Sequence, residues 1–482
     1  MDEIVLERHF DGDDRSHDEF PLLPFQVPPG TGRLHISYEV SHALSADKAG
    51  WEEGNIIDIG LFDPRGNDFP GGRGFRGWSG TARQTFTVGP QEATPGYLAG
   101  TVQPGTWHLL LGLYQLAPEG CDVRITIRPE RDAGQQSVRL PCPFDPAPVA
   151  SGPRWFRGDL HSHTHHSDGT APLADLVAAA KSQGLDFVAV TEHNTVSHLP
   201  LLRDLPAEAR TRPSPLLLIP GVEISTYHGH ANLWPVSDWF DFRCWQDDQM
   251  RAVRKEALER GVLFSVNHPK DGGPPWEFGS LFEPDCVEVW GGPWFISNYQ
   301  ALAAWDRLLR QGQQVTAVGG SDKHQGPFAG ELGWYEIGTP TTWVWAEELS
   351  VPAIVEGLLA GRAFISEGPK GAQIELTAEA GGRRATMGEV LPIAAGESVH
   401  LRCLVKDGRG CILRLVSARR VLEAEVEDDK FVLKREIRPE MDRYFRPEVI
   451  DPPEVPLEEE PAALMARALG NPVYLKEDSR GC

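Results

Sequence analysis

Residues 156–169, FRGDLHSHTHHSDG, set two histidines one residue apart at the end of an apolar run. In extended backbone His161 and His163 point to the same side and Ser162 to the other. Two imidazoles then stand together at a strand end, with Asp168 on the loop that follows. Neutral imidazole nitrogens suit Zn, Fe or Mn, and a nearby carboxylate offsets the charge of the ion. A His-Ser-His triplet alone also occurs by chance on protein surfaces. Here the form recurs: 187–191 runs into Glu192-His193, and 216–219 into Pro220-Gly221 and Glu223, with His228 and His230 close behind. Likewise 262–266 delivers Asn267-His268, and 315–318 enters GGSDKH, with Asp322 and His324. His161, His163, Asp168, His193, Glu223, His230, His268, Asp322 and His324 are too many ligands for one ion. They suit two or three divalent or transition-metal ions (Mn, Zn or Fe), with a carboxylate such as Glu223 between them. Clustered carboxylates repel one another without a cation, and neighbouring cations need an anion between them. His165, His166 and His228 are read as neighbours of this set.

These residues lie in a stretch whose rhythm is strand then helix. Pro172 starts a helix whose apolar stripe is Leu173, Leu176, Val177 and Ala180, and Gly184 stops it. Helices are also expected over 246–260, 298–310 and 351–360. Strands starting near Phe156, Phe187, Leu216, Val262, Val287, Val315 and Ala363 give about seven βα repeats in roughly 215 residues. A closed barrel is preferred to an open doubly wound sheet, because polar residues emerge after nearly every strand and a ring of strand ends converges them on one pocket. No Gly-x-Gly-x-x-Gly or Gly-Lys-Ser/Thr motif follows an early strand, so a nucleotide cofactor has no support.

On either side the pattern is period two. Leu34, Ile36, Tyr38 and Val40, then Ile57, Ile59 and Leu61, then Leu109, Leu111 and Leu113 read as antiparallel strands with one buried face. Residues 1–150 are expected to be a β-sandwich, with 1–30 a tether or edge, and 141–153 a Pro-rich linker to a central domain over 151–370. Residues 371–482 form a β-rich C-terminal module, with a solvated acidic loop over 448–460 and a short helix over 461–469. No chemistry is read in either flank; a carbohydrate platform at Trp51 and Trp78 is weighed against ordinary packing.

The whole chain bounds the partners. It has 482 residues, a formal net charge of -23 and a pI near 5.1. That balance repels nucleic-acid backbone and anionic lipid, although a local basic pocket is compatible with it. The seven cysteines have no paired spacing and read as reduced thiols. No apolar run reaches transmembrane length and the first residues do not form a signal peptide, so a cytoplasmic location and no membrane partner are expected. Oligomeric state is not legible.

The segments GDLHSHTHHSDG, GLDFVAVTEHN, PGVEIST, NHP and GGSDKH resemble the PHP superfamily of metal-dependent phosphoesterases. The GHAN that follows Glu223 looks most like its CehA/McbA-type branch. Over about 154–370 the resemblance implies an α/β fold, a distorted seven-stranded (β/α)7 barrel with a multinuclear site flanked by β-rich segments. It implies His161, His163, Asp168, His193, Glu223, His268, Asp322 and His324 as metal ligands, and matches His230 to an extra histidine ligand. Glu192 stands where the family usually has Asp. The implied activity is hydrolysis of a small-molecule phosphate mono- or diester by metal-activated water, with Glu223, His230 and Asp168 at the chemistry. Lys270, Lys323 and Arg157 are candidates for holding phosphate oxygens, and the loops 273–279 and 290–295 for the rest of the substrate. The alternatives are cleavage of a carboxylic or carbamate ester with an aromatic leaving group, and a non-catalytic scaffold that binds carbohydrate or protein.

Overall fold

The computed structural model describes the chain except residues 46–47, 132–146, 205–213, 273, 326–335, 440 and 478–482. Two four-stranded antiparallel sheets make the N-terminal sandwich. One contains Ile4–Phe10, Cys121–Arg131, Thr31–Val40 and Thr85–Val88; the other Leu22–Val27, Gly105–Gln115, Ile56–Phe62 and Phe75–Gly80. The alternating positions Leu34, Ile36, Ile57, Ile59, Leu109, Leu111 and Ile125 interdigitate between them. The second sheet is buried on its other face too. Phe62, Phe75, Trp78 and Leu110 share one apolar cluster with Leu176, Ile224, Phe242 and Phe264 of the central region.

Residues 1–30 are an edge of the sandwich and not a tether. They supply two of the sandwich strands, and Phe10, Phe20 and Phe25 are buried. Asp13 and Asp14 lie in the short helix Gly12–His17, with Asp11 and Asp18 at its ends, and Asp11 accepts from the backbone N–H groups of Asp13 and Asp14. A solvated insertion between strands thus masks an ordinary core pattern.

The central strands fall into two sheets. Ala150–Asp159 begins inside the expected linker and pairs in parallel with Phe187–Val190, which pairs in parallel with Leu217–Pro220. Val222–Thr226, Gly229–Trp234, Leu263–Val266, Cys286–Gly291 and Thr316–Gly320 form the second. Isolated bridges join the two just beyond the strand ends, His193 to Glu223 and Ser162 to Lys323. The ladders among the described residues do not close a ring of seven βα units. The expected third strand stands as Leu217–Pro220, and beyond Gly221 follows an unexpected antiparallel hairpin, Val222–Thr226 with Gly229–Trp234. The last expected strand, Ala363–Ser366, pairs antiparallel with Thr341–Leu349 and Ala466–Gly470. Helices Leu173–Ser182, Asp247–Glu259, Asn298–Arg310 and Val351–Leu359 stand where the apolar stripes put them.

Through that last pairing the central sheet continues into the C-terminal region as an eleven-stranded sheet. Its neighbour is a four-stranded sheet of Gln373–Ala380, Arg383–Thr386, Val399–Lys406 and Lys430–Ile437, and the two share a core that includes Ile374, Leu401, Leu413 and Phe445. The helix expected over 461–469 is a 3-10 turn, Pro461–Ala463, followed by the strand Ala466–Gly470. The acidic tract is not wholly solvated, since Glu448 is buried against Arg414 and Arg446. Cys121, Cys244, Cys286, Cys403 and Cys411 are free thiols; Cys142 and Cys482 lie outside the described residues. Among the described residues no helix is long and apolar enough to cross a membrane.

Candidate metal centre

Asp159 fixes the exit of the first central strand. Its buried carboxylate accepts from the backbone N–H of His161 (3.1 Å), Ser321 (2.9 Å) and Gly338 (2.7 Å), tying three segments together. Ser162 turns away and donates to Ala189 O at 2.7 Å, so His161 and His163 share the opposite side, as strand geometry requires. Both histidines are buried.

All nine sequence-selected residues converge here. Glu223, fully buried, is the hub. Its Oε1 lies 3.2 Å from His161 Nε2 and from His230 Nδ1, and 3.5 Å from His268 Nε2. Its Oε2 lies 2.8 Å from His193 Nδ1 and 3.7 Å from His163 Nε2. Asp322 Oδ1 faces His161 Nε2 at 3.2 Å and His163 Nε2 at 3.1 Å. Asp168 Oδ1 faces His193 Nε2 at 3.4 Å and His324 Nε2 at 3.3 Å. Asp168 is the most open of the set, with 50% of its side chain exposed at the mouth. His268 and Asp322 hold left-handed backbone at φ 28° and 53°, a conformation non-glycine residues rarely adopt and one that concentrates at functional sites.

The donor set fits metal ions. His161 Nε2 and both ring nitrogens of His163 are buried without a hydrogen-bond partner, an expensive state unless a cation takes the lone pairs. Four overlapping groups have donor atoms close enough to share an ion: His163, Asp168, His193 and His324; His161, His163 and Glu223; His193, Glu223 and His230; His161, His268 and Glu288. The electrostatics of the bare cluster agree. Burial disfavours a charged His161, yet Asp322, Glu223 and Glu288 together outweigh it and hold the ring well above the ordinary histidine range. Burial also resists ionisation of Glu223, but His161, His230 and His193 pull it well below the carboxylate range. His163 is pulled down to about 3 by burial and by His324 and His193.

Several supporting residues escaped the sequence reading. Glu288 sits in the middle of Cys286–Gly291 with both oxygens 3.2 Å from His161 Nδ1, and Oε2 also accepts from His268 N at 3.2 Å. The available signal was a lone acid inside the apolar run CVEVWG. Asn267 donates through Nδ2 to Glu223 Oε1 at 2.8 Å, and Ser225 Oγ lies 2.5 Å from His193 Nδ1. Glu192, in place of the shorter Asp, reaches Thr164 Oγ1 (2.5 Å) and Ser167 Oγ (2.6 Å) and holds the HSHTHHS loop.

The phosphate-holding candidates fare differently. Lys270 Nζ donates to Gly291 O (2.8 Å) and Asn298 Oδ1 (2.9 Å). Arg157 donates to Gly184 O (2.7 Å) and Pro369 O (3.0 Å), so it braces the fold. Lys323 is buried beside the bridge to Ser162. His166 is bonded to Ser197 Oγ at 2.8 Å and His228 to Glu19 and Glu277, consistent with neighbours of the set. In the loops expected to meet substrate, Trp276 and Phe278 pack on each other and on Phe282 beyond them, Phe295 is largely exposed, and Gly273 lies outside the described residues. Trp78 is core, not a sugar platform, whereas Trp51 is exposed.

Comparison with known proteins bears on the central region. The chain is 43% identical over 68 residues to the 5'-3' exoribonuclease Rnm of Salmonella typhimurium, a match that covers 14% of this chain and spans 22% of the length of that relative. A Bacteroides vulgatus two-domain protein, described as containing a predicted PHP-like metal-dependent phosphoesterase, is 19% identical with a TM-score of 0.38, covering 71% of this chain and 99% of its own. An amidohydrolase from Chromobacterium violaceum is 15% identical with a TM-score of 0.24, covering 37% of this chain and 89% of its own. Residues 159–259, which hold His161, His163, Asp168, His193, Glu223 and His230, match the model of the PHP domain.

Proposed function

We propose that the chain is a metal-dependent hydrolase of phosphate esters, with two or three Mn, Zn or Fe ions held by His161, His163, Asp168, His193, Glu223, His230, His268, Asp322 and His324. The observation that carries this reading is Glu223, a fully buried carboxylate whose two oxygens each face imidazoles from different segments. A lone buried anion is costly; one shared between cations is not. Bound ions would supply Lewis acidity toward the phosphoryl group and neutralise its growing charge.

The residues of the chain divide the remaining work. Glu223 holds the donor groups together, with Asn267 fixing Oε1. Asp168, His193 and His324 form the open side, where an ester enters. Asp168, whose Oδ1 faces both imidazoles, would take the proton of the attacking water through its other carboxylate oxygen. His230, whose Nδ1 is turned to Glu223, keeps Nε2 for a hydrogen bond to the leaving oxygen, which would take its proton from water on the open side. Phe295 and Ile296, both exposed, offer apolar surface to the rest of the substrate.

A mono- or diester of a small molecule is preferred, because a net charge of -23 opposes a long polyanion. The name of the Salmonella relative favours a second reading, a nucleic-acid phosphodiester. The GHAN sequence at 229–232 supports the CehA/McbA-type branch, which keeps a carbamate or aryl ester as the third. Metal-free protein reconstituted with Mn, Zn or Fe and offered aryl phosphate, aryl phosphodiester, short RNA and aryl carbamate tests the reading. Turnover of a phosphate ester above the others supports it; carbamate cleavage without phosphate release overturns it.

A further inference from the structure

Glu223 and His230 ride on one hairpin, Val222–Thr226 and Gly229–Trp234, in which Ser225 pairs with His230 and Thr226 with Gly229. Its two-residue tip, Tyr227 and His228, leaves the central region and enters the face of the N-terminal sandwich. Tyr227 donates its hydroxyl to Asp58 Oδ2 at 2.7 Å. Its ring stacks between Phe20 (5.3 Å, 16°) and Tyr114 (4.7 Å, 19°). His228 is bracketed by Glu19 Oε1 at 3.0 Å and Glu277 Oε2 at 2.7 Å.

The sandwich is shaped to admit this tip. Asp58 is the polar position in Ile56–Phe62, between Ile57 and Ile59, which face the sandwich core. Beside it on the neighbouring strand, Gly112 leaves the space that Tyr227 fills: a Cβ there would lie 2.0 Å from Tyr227 Oη and 3.1 Å from Asp58 Cβ. A tip stacked on both faces, bonded at its end and held at its second residue cannot shift without breaking contacts across the domain boundary. A two-stranded hairpin is short and stiff enough to pass that restraint to Glu223 and His230.

We infer that the N-terminal sandwich is a working part of the metal centre: Asp58, with Glu19, Phe20 and Tyr114, positions the Tyr227-His228 tip and thereby two of the metal ligands. The inference rests on the metal-centre reading above. It makes Asp58 and Tyr227 positioning residues, with Asp58 supplied by a segment outside the PHP match at 159–259.

The test uses full-length protein stripped of metal, titrated with Mn2+ by calorimetry and followed by hydrogen exchange over 222–234. Asp58→Ala and Gly112→Ala are expected to weaken Mn2+ binding by about tenfold, the scale seen when groups orienting metal ligands are removed. Hairpin amides should exchange faster by a similar factor, with Tm within a few degrees of wild type. Asp58→Asn keeps an acceptor for the Tyr227 hydroxyl and should stay within about twofold of wild type. Tyr227→Phe, which keeps the stacking, should fall between. Wild-type affinity and exchange in both alanine variants would overturn the inference while leaving the metal centre intact, and so would an Asp58→Asn loss equal to that of Asp58→Ala, because it would make the effect one of charge. Wild-type protein that takes up none of Mn2+, Zn2+ and Fe2+ would overturn both readings.

Discussion

Glu288 presents both carboxylate oxygens to Nδ1 of His161, each at 3.2 Å, while Nε2 of the same ring faces Glu223 and Asp322. A proton on Nδ1 is thereby held by Glu288, which leaves Nε2 as the lone-pair nitrogen and fixes the ring plane. Glu288→Ala is expected to lower metal affinity by roughly 10- to 100-fold. Calorimetric Mn2+ titration of the stripped protein checks it; an unchanged affinity would mean that His161 is oriented by other contacts.

Glu192 accepts from Thr164 N, Thr164 Oγ1 and Ser167 Oγ, all in the loop that follows His163. Glu192→Ala leaves these buried donors unpaired. Each such group costs about 1–3 kcal/mol, so a loss of at least about 2 kcal/mol is expected. Urea unfolding of metal-free protein measures it, and a shift under about 0.5 kcal/mol would show that water or a rearranged loop replaces the carboxylate.

Phe20 carries a prediction that comes from where the sequence misleads. It is 3% exposed and packs on Trp78, Tyr227, Phe242 and Trp245. Phe20→Ala should cost about 3–5 kcal/mol in urea unfolding. A residue in a solvated tether would cost nearly nothing.

Local patterns were legible where they are self-contained. The stripe Ala301, Leu302, Trp305, Leu308 and Leu309 is enough to place helix Asn298–Arg310, and the His-x-His, Glu-His and Asp-x-His endings mark residues that converge in the fold. What was hidden depends on distant partners. Phe20 lies amid acids whose solvation is local, so its burial against Phe242 is invisible in its own window. Tyr227-His228 has no asparagine-glycine pair to announce a hairpin; its tip is held by Asp58 and Glu19, both far away in the chain. Glu288 reads as strand, because only its contact with His161 separates a working carboxylate from a surface one. Strand runs alone leave open whether seven segments close or divide, which depends on pairings such as Ala363–Ser366 with Ala466–Gly470.

Glu223→Gln keeps size and one carbonyl oxygen but removes the negative charge. Neighbouring cations would then repel with less compensation, so kcat/KM toward the best phosphate ester should fall by roughly a hundredfold or more, about 2.7 kcal/mol of barrier. His165→Ala should cost much less, since the His165 ring lies outside the converging set. Steady-state kinetics of both variants, with bound metal measured alongside, checks this. Near-normal kcat/KM and metal content in Glu223→Gln would place the shared carboxylate elsewhere.

The central claim is that the converging histidines and carboxylates hold metal ions, and elemental analysis of freshly purified full-length protein tests it most directly. About two to three transition-metal ions per chain are expected, lost together on chelation and regained on reconstitution. Less than about one ion per chain, with no uptake when Mn, Zn or Fe is supplied, would contradict it.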